Sequence, residues 1–345
     1  MRIAVIIPFR GDPATLAWVL EGFAQQELGD GMTAEVRVHG DGVEVPKAVI
    51  PARVNAGVTF CVSSSEHAGV AEAKNGMLRG KPADVLIVSN SDTRPASTDF
   101  VRRHVERLMS LPEKSMVLGS APYESAAAPS VFDVLKEETP MIFFYQGMTP
   151  GAWYDFRHVW TLNLSVRYAD VERIGFFNPV FRPYGFEDLD IGHRLMGTAK
   201  GVYFDPACAV VHRHPMAFDQ YMNREELLGR MAPVLHAANE AAFEALYGTR
   251  HMNQLAEKFR VWVEMDRAGH AWTYRRMQEW CGLPAEALGA GEGRERLAMA
   301  LYQMHVPLKR LAFRLGFLRG MGMIADSRWK ERGANVGEWC AAIGV

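Results

Sequence analysis

An α/β fold with a mostly parallel mixed sheet, helices on its faces and a helical C-terminal extension is predicted by three observations. Strand-like and helix-like patterns alternate through the first third of the chain. The opening apolar run at residues 3–9, "IAVIIPF", is continuous, as in a strand buried on both faces. After Pro215 the patterns are largely helical.

The elements follow in order. Asp12 is an N-cap and Pro13 a first helical residue, with Leu16, Val19, Leu20 and Phe23 forming one apolar face. "AEVRVHGDG" is a second strand ending in a turn, and "VTFCVS" is a third. "AGVAEAKNGMLRG" is a helix closed by Gly80. "ADVLIVSNSD" is a fourth strand with polar residues at its carboxyl end. A capped amphipathic helix, "STDFVRRHVERLMSL", and the strand "SMVLGSAPY" come next. Residues 139–159 are rich in aromatics and Met, and read either as a binding lid or as a flap packed over the core. In "WTLNLSVRY", Trp160, Leu162, Leu164 and Val166 alternate as in a half-buried strand. "ADVERIG" is a short helix stopped by Gly175, and "GVYFDPACAVVHRHP" makes two short strands. Beyond them, Pro233 and Pro307 are expected to break the helices, and "GLPAEALGAGEGRER" to be a loop.

The 345 residues allow two domains, and 48% hydrophobic residues suffice for full cores. A net charge of −2 gives no electrostatic case for a nucleic-acid partner. Cys61, Cys208, Cys281 and Cys340 are far apart and show no C-x-x-C spacing, so a zinc knuckle, a redox pair or a disulfide framework is not expected. A reducing, cytoplasmic setting fits such cysteines, with no signal peptide or membrane span expected. "PLKRLAFRLGFLRGMGM" (307–323) places Lys309, Arg310, Arg314 and Arg319 among Leu and Phe. Such a helix either contacts the inner face of an anionic membrane peripherally or packs on its own domain; the second is favoured.

Open parallel sheets bind ligands at the carboxyl ends of their strands. Three polar clusters fall there: "PFRGD", "HGDG" and "SNSD". Neither G-x-G-x-x-G nor a P-loop follows a strand, which removes the usual signature of a dinucleotide enzyme or an NTPase. The motif "GFEDLDIGHRL" at 185–195 sets Glu187, Asp188 and Asp190 at a helix start. Carboxylates are welcome there for electrostatic reasons alone, and Asp190 with Arg194 has the spacing of a helix-surface ion pair. A catalytic use also exists. Breaking a sugar–diphosphate bond calls for charge stabilisation, commonly by a divalent cation, and an incoming hydroxyl needs a base. Asp92 and a later His would suit the cation, and Asp188 the proton.

In this ordered series the sequence resembles the GT-A glycosyltransferases, and among them the large family 2 group of bacterial sugar transferases. "VIIPFRGD" is similar to the family's opening strand, and "VHGDG" stands in place of V-D-D-G-S. "EHAGVAEAKNG" matches N-x-G-x-x-x-A-R-N-x-G, with His67 for Asn and Lys74 for Arg. "IVSNSD" stands in place of the metal-binding D-x-D, with Asn90 for the first Asp. "TLNLSVRYADVERIGFFNPVFRPYGFEDLDIGHRL" resembles the acceptor-side segment ending in an E-D helix, and "VYFDPACAVVHRHP" the strand that ends in His. The resemblance covers roughly residues 1–216 and implies the following. Residues 1–216 form the GT-A domain, 1–92 holding the nucleotide-sugar and 93–216 the acceptor, and 217–345 form a helical region. Pro8, Arg10, Asp41, Lys74 and Asn90 would contact the nucleotide-sugar. Asp92 with His212 or His214 would hold Mn²⁺ or Mg²⁺. Asp188 would be the base and Glu187 would orient the acceptor. The donor would be UDP-, GDP- or dTDP-linked; His39 and Gly40 replace acidic or polar residues near the nucleobase, which leaves the nucleotide open. The acceptor would be a glycan, a lipid-linked or a small-molecule hydroxyl, and the reaction would invert. Asn90 motivates an alternative, a catalytically weak nucleotide-sugar-binding or scaffold protein. A nucleotidyltransferase is disfavoured, since "PFRGDPAT" lacks a Gly-rich basic loop.

Overall fold

The computed structural model describes residues 1–265 and 267–323; Cys340 and the last part of the expected C-terminal region lie outside them. The elements run β1 (Arg2–Phe9), α1 (Pro13–Ala24), β2 (Thr33–Asp41), β3 (Val58–Ser65), α2 (Val70–Gly76), β4 (Val85–Ser89), β5 (Thr93–Pro95), α3 (Phe100–Met109), β6 (Met116–Leu118) and α4 (Val131–Glu138). They continue with β7 (Trp153–Tyr154), β8 (Asn163–Arg167), α5 (Tyr168–Arg173), α6 (Glu187–Met196), β9 (Val202–Phe204) and β10 (Val210–His212). Five helices follow: α7 (Phe218–Ala238), α8 (Glu240–Tyr247), α9 (Met252–Met265), α10 (Arg267–Cys281) and α11 (Gly291–Gly320).

The chain forms two compact units. One holds Met1–Glu124 and Met148–His214; the other holds Ser125–Gly147 and the described residues from Pro215 onward. Residues 125–147, inside the range expected of the catalytic domain, therefore group with the C-terminal helices, where α4 packs on α10 and α11.

The first unit is built on an eight-stranded sheet of order β3-β2-β1-β4-β8-β6-β9-β7. β3, β2, β1 and β4 run parallel, β8 is antiparallel to both β4 and β6, and β9 is parallel to β6. The first strand is buried throughout Ile3–Ile7, as its unbroken apolar run requires. Helix α1 starts as its sequence dictates: the Asp12 carboxylate accepts from the Ala14 and Thr15 amides at 3.2 and 2.9 Å. A small antiparallel pair, β5 with β10, aligns His212 with Thr93.

β8 departs from the alternating pattern. It begins only at Asn163, and Asn163 and Ser165 are as buried as Leu164 and Val166. The polar pair is tolerated because His104 of α3 bonds both, Nδ1 to the Ser165 hydroxyl at 2.9 Å and Nε2 to Asn163 Oδ1 at 2.9 Å. Burial pushes the His104 imidazole down to about 4. Asn163 Nδ2 also donates to the Ser120 and Cys208 carbonyls at 2.9 and 2.7 Å. Gly119 lies against the same groups, and a Cβ there would sit 1.7 Å from the Cys208 carbonyl oxygen. Gly119→Ala is expected to destabilise the protein by roughly 3 kcal/mol through overpacking, read as a lowered urea midpoint; an unchanged midpoint would show that this loop yields freely.

In the second unit Pro233 and Pro307 lie inside α7 and α11 rather than breaking them. Each proline loses one helical hydrogen bond, but the two long helices pack backbone against backbone. A Cβ on Gly229 would meet the Phe313 carbonyl oxygen at 2.0 Å, and one on Gly316 the Glu226 carbonyl oxygen at 1.9 Å. This contact outweighs the local cost. Of the residues expected to form a loop (282–296), those before Gly291 lie outside any α-helix, with a 3-10 turn at Ala285–Leu288, and only 291–296 belong to α11. Within α11, Leu308, Leu311, Leu315 and Phe317 are buried, so the apolar face of 307–323 packs on its own unit. No helix among the described residues is long and apolar enough to cross a membrane. Cys61, Cys208 and Cys281 are free thiols.

Candidate active site

The carboxyl ends of the parallel strands bring the polar clusters to one sheet edge. The register sets Phe9 of β1 beside Gly40 of β2, and Val88 of β4 beside Ile6. Pro8 and Arg10 thus lie at the end of β1, Asp41 at the end of β2, and Asn90 and Asp92 just past β4.

Asp41 is buried and clamped by the loop before α2. It accepts from the Ala68 amide at 2.7 Å, the Gly69 amide at 3.2 Å and His67 Nδ1 at 2.8 Å. Burial alone would raise this carboxyl; those bonds outweigh it and hold Asp41 below its ordinary range. Arg10 Nη1 lies 3.0 Å from His67 Nε2. His67, noticed in the sequence only as a departure from a pattern, is therefore the link between Arg10 and Asp41. His39 is turned from the surface, bonded to the Ser63 and Ser65 hydroxyls. Gly69, at φ 96°, passes so close to Arg182 that a Cβ would meet its carbonyl oxygen at 2.3 Å.

The second cluster is Asp92, His212 and His214, each offering one ligand atom and all of these within 4.8 Å of one another. Asp92 Oδ2 lies 2.8 Å from His214 Nδ1 and 3.4 Å from His212 Nε2. β10 delivers His212 through its pairing with β5, and the Arg213 amide donates to the Asp92 carbonyl at 2.8 Å. Tyr123 stacks on the His212 ring at 4.9 Å, a neighbour the motif reading missed because it comes from the irregular stretch after β6. Burial would raise the Asp92 carboxyl, but the bonds and charges of both histidines hold it well below the carboxylate range. Asp92 Oδ1 is buried with no hydrogen-bond partner among the described residues. One carboxylate, two imidazoles and an orphaned carboxylate oxygen suit a divalent cation such as Mn²⁺, which accepts nitrogen more readily than Mg²⁺ does. Both histidines, rather than one, belong to the cluster. Asn90, the position that differs from an acidic residue, donates its backbone amide to the Thr93 hydroxyl at 3.0 Å.

The third cluster is built on the first turn of α6. Gly185 (φ 129°) and Phe186 (φ 68°) swing the chain into the helix, and Phe186 holds an uncommon left-handed conformation for a side chain of its size. Glu187 and Asp188 follow. Asp188 accepts from the Thr161 amide at 3.1 Å and the Thr161 hydroxyl at 2.6 Å. The Lys74 ammonium lies 3.1 Å from Asp188, 3.4 Å from Glu187 and 2.7 Å from the Thr161 hydroxyl. The Asp188 side chain is 27% exposed, whereas Lys74 and Glu187 are sealed. Burial first, and repulsion from Asp188 second, push the Glu187 carboxyl up. Burial disfavours the Lys74 cation, but the attraction of Asp188 and Glu187 prevails and raises it. Sequence reasoning grouped Lys74 with the nucleotide contacts; the structure brings it to the carboxylate pair instead. Asp190 pairs with Arg194 at 2.8 Å, and Arg194 also donates to the Ile174 and Phe176 carbonyls, which makes that pair architectural.

The second and third clusters are physically connected. The Thr93 hydroxyl, beside Asp92, bonds the Leu162 carbonyl at 3.2 Å, and the preceding residue, Thr161, carries Asp188.

This sheet order, with the Asp92–His212–His214 cluster after β4 and the acidic helix start, is that of a GT-A-like glycosyltransferase fold. Among solved structures, the chain is similar to the mannosyltransferase PcManGT from Pyrobaculum calidifontis in complex with GDP-Man and Mn²⁺. The TM-score is 0.51 and the identity 15%, covering 96% of this chain and 88% of that one. S. aureus TarS 1–349 is similar at TM-score 0.46 and 11% identity, covering 92% and 91%, and the same holds for its complex with UDP. No protein-family model and no curated protein matches the chain.

Proposed function

We propose that this protein transfers a sugar from a nucleotide-diphosphate donor to an acceptor hydroxyl with inversion, assisted by a divalent cation. The observation that carries the reading is the convergence of Asp92, His212 and His214 at the end of β4, linked through Thr93 and Thr161 to a part-exposed Asp188. Asp92, His212 and His214 would hold the cation, whose charge offsets that developing on the diphosphate. Asp188 Oδ2 accepts only the Thr161 amide among the described residues and faces partial solvent, so it has room to accept the acceptor proton. The acceptor oxygen bonds to the anomeric carbon as the bond to the diphosphate oxygen breaks, and the proton passes to Asp188. Glu187 is sealed behind Asp188, holding Lys74 and accepting the Gly185 amide at 3.1 Å, so it would act on the acceptor by fixing the Asp188 turn rather than by contact, while Arg10 and Asp41 would border the nucleotide end. UDP-, GDP- and dTDP-sugars are the donors in question. A similar solved enzyme carries GDP-Man and Mn²⁺, which supports a sugar nucleotide and a metal here.

The test is a thermal-shift panel of these nucleotide-sugars with and without Mn²⁺. A fitting donor with Mn²⁺ is expected to stabilise the wild type by about 2.7 kcal/mol at a hundredfold excess over Kd, and Asp92→Ala to abolish the Mn²⁺-dependent part. No stabilisation by any nucleotide-sugar would refute the proposal. Binding without detectable transfer would favour a non-catalytic nucleotide-sugar module, the reading that Asn90 in place of an acidic residue suggests.

A further inference from the structure

The helical unit contains a cavity of about 370 Å³, at the small end of the roughly 300–1,000 Å³ typical of small-molecule sites. Phe259, Phe313 and the 43%-exposed Phe144 line it with rings. Its charges are unbalanced. Lys309, Arg310 and Arg314 face one acid, Glu225, which already pairs with Arg224 at 2.7 Å and with Lys309 at 3.8 Å. Arg310 and Arg314 stand one helical turn apart and have no carboxylate within ion-pair distance among the described residues. Arg314 lies over Trp262 at 4.4 Å, and both burial and the charge of Arg310 disfavour its cation. Like charges at this spacing destabilise a helix, so their meeting at a ring-lined hollow points to a ligand that neutralises them.

We propose that this cavity binds a phosphate monoester carried on a single apolar chain. Near neutral pH such a phosphate is close to a dianion, which matches two guanidinium groups, and guanidinium recognises phosphate with paired hydrogen bonds. The rings take the chain. A concave site of this size admits one chain rather than a bilayer face. The assignment does not depend on the proposed transfer reaction.

Isothermal titration with decyl phosphate, kept below its micelle-forming concentration, tests it. Saturable one-site binding is expected, with decanol, decanoate and inorganic phosphate each much weaker. Arg310→Gln and Arg314→Gln should each weaken binding about tenfold or more, and Arg314→Lys less. Arg310 is exposed, so its variant keeps the test valid even if the Arg314 variants fold poorly. Decanol or decanoate binding as tightly as decyl phosphate would overturn the proposal, as would unchanged affinity in Arg310→Gln. Sedimentation with phosphatidylglycerol vesicles, in a protein that ignores monomeric decyl phosphate, would overturn the cavity in favour of a membrane face.

Discussion

Asp188→Asn is expected to lower transfer by about 10²–10⁴-fold, the range for loss of a general base. The side-chain oxygen can still accept the Thr161 amide, so the local fold should persist, but an amide cannot take the acceptor proton. The loss should appear in kcat, with donor KM and the Mn²⁺-dependent thermal shift little changed, because the Asp92 cluster is untouched. Single-turnover transfer with the donor that scores in the panel checks this. Full activity in the variant would remove Asp188 from the chemistry and leave its bonds with Thr161 and Lys74 as architecture.

The second large effect is on Lys74. Lys74→Met removes the cation from a sealed cluster and leaves two adjacent carboxylates facing each other. Breaking a buried ion pair in this way costs about 3–5 kcal/mol. The sign of its pH dependence follows from Glu187, whose carboxyl is raised above its ordinary value of 4.5, by burial first and Asp188 second. The stability contributed by a raised acid is full below its ordinary value and is lost as pH rises through the raised one. Without Lys74 the repulsion grows and the raised value moves further up. The variant should therefore be more destabilised at pH 8 than at pH 5, while wild-type Lys74 stays charged across that window. Urea midpoints at the two pH values decide the matter; an equal loss at both would show that the carboxylates do not feel the lysine. Transfer activity should fall as well, since Lys74 and Thr161 together fix the Asp188 side chain.

What could be read from the sequence divides by range. The buried first strand, the Asp12–Pro13 helix start and the polar strand ends depend on residues close together in the chain, and local periodicity revealed them. That Asp92, His212 and His214 meet was anticipated because each ends or follows a short strand within an ordered series of motifs. Lys74 was misplaced for the opposite reason. Its partners Thr161, Glu187 and Asp188 lie 87, 113 and 114 residues away, and nothing beside it announces a buried ammonium. The burial of Asn163 and Ser165 was hidden because His104, which satisfies them, belongs to another element. Pro233 and Pro307 misled because propensity is a local quantity, and the glycine-mediated contact of α7 with α11 overrules it.

The interrupted course of the second unit bears on the order in which the chain is made. α4 emerges early, with Val131, Phe132, Val134 and Leu135 destined for burial, yet α11 on which it packs is the last described helix. Synthesis at roughly 5–20 residues per second places many seconds between them. During that interval α7 can meet Phe132 through Phe218 and Tyr221, but the face that α10 and α11 cover still lacks its native partner, at the stage when a chaperone has most to shield.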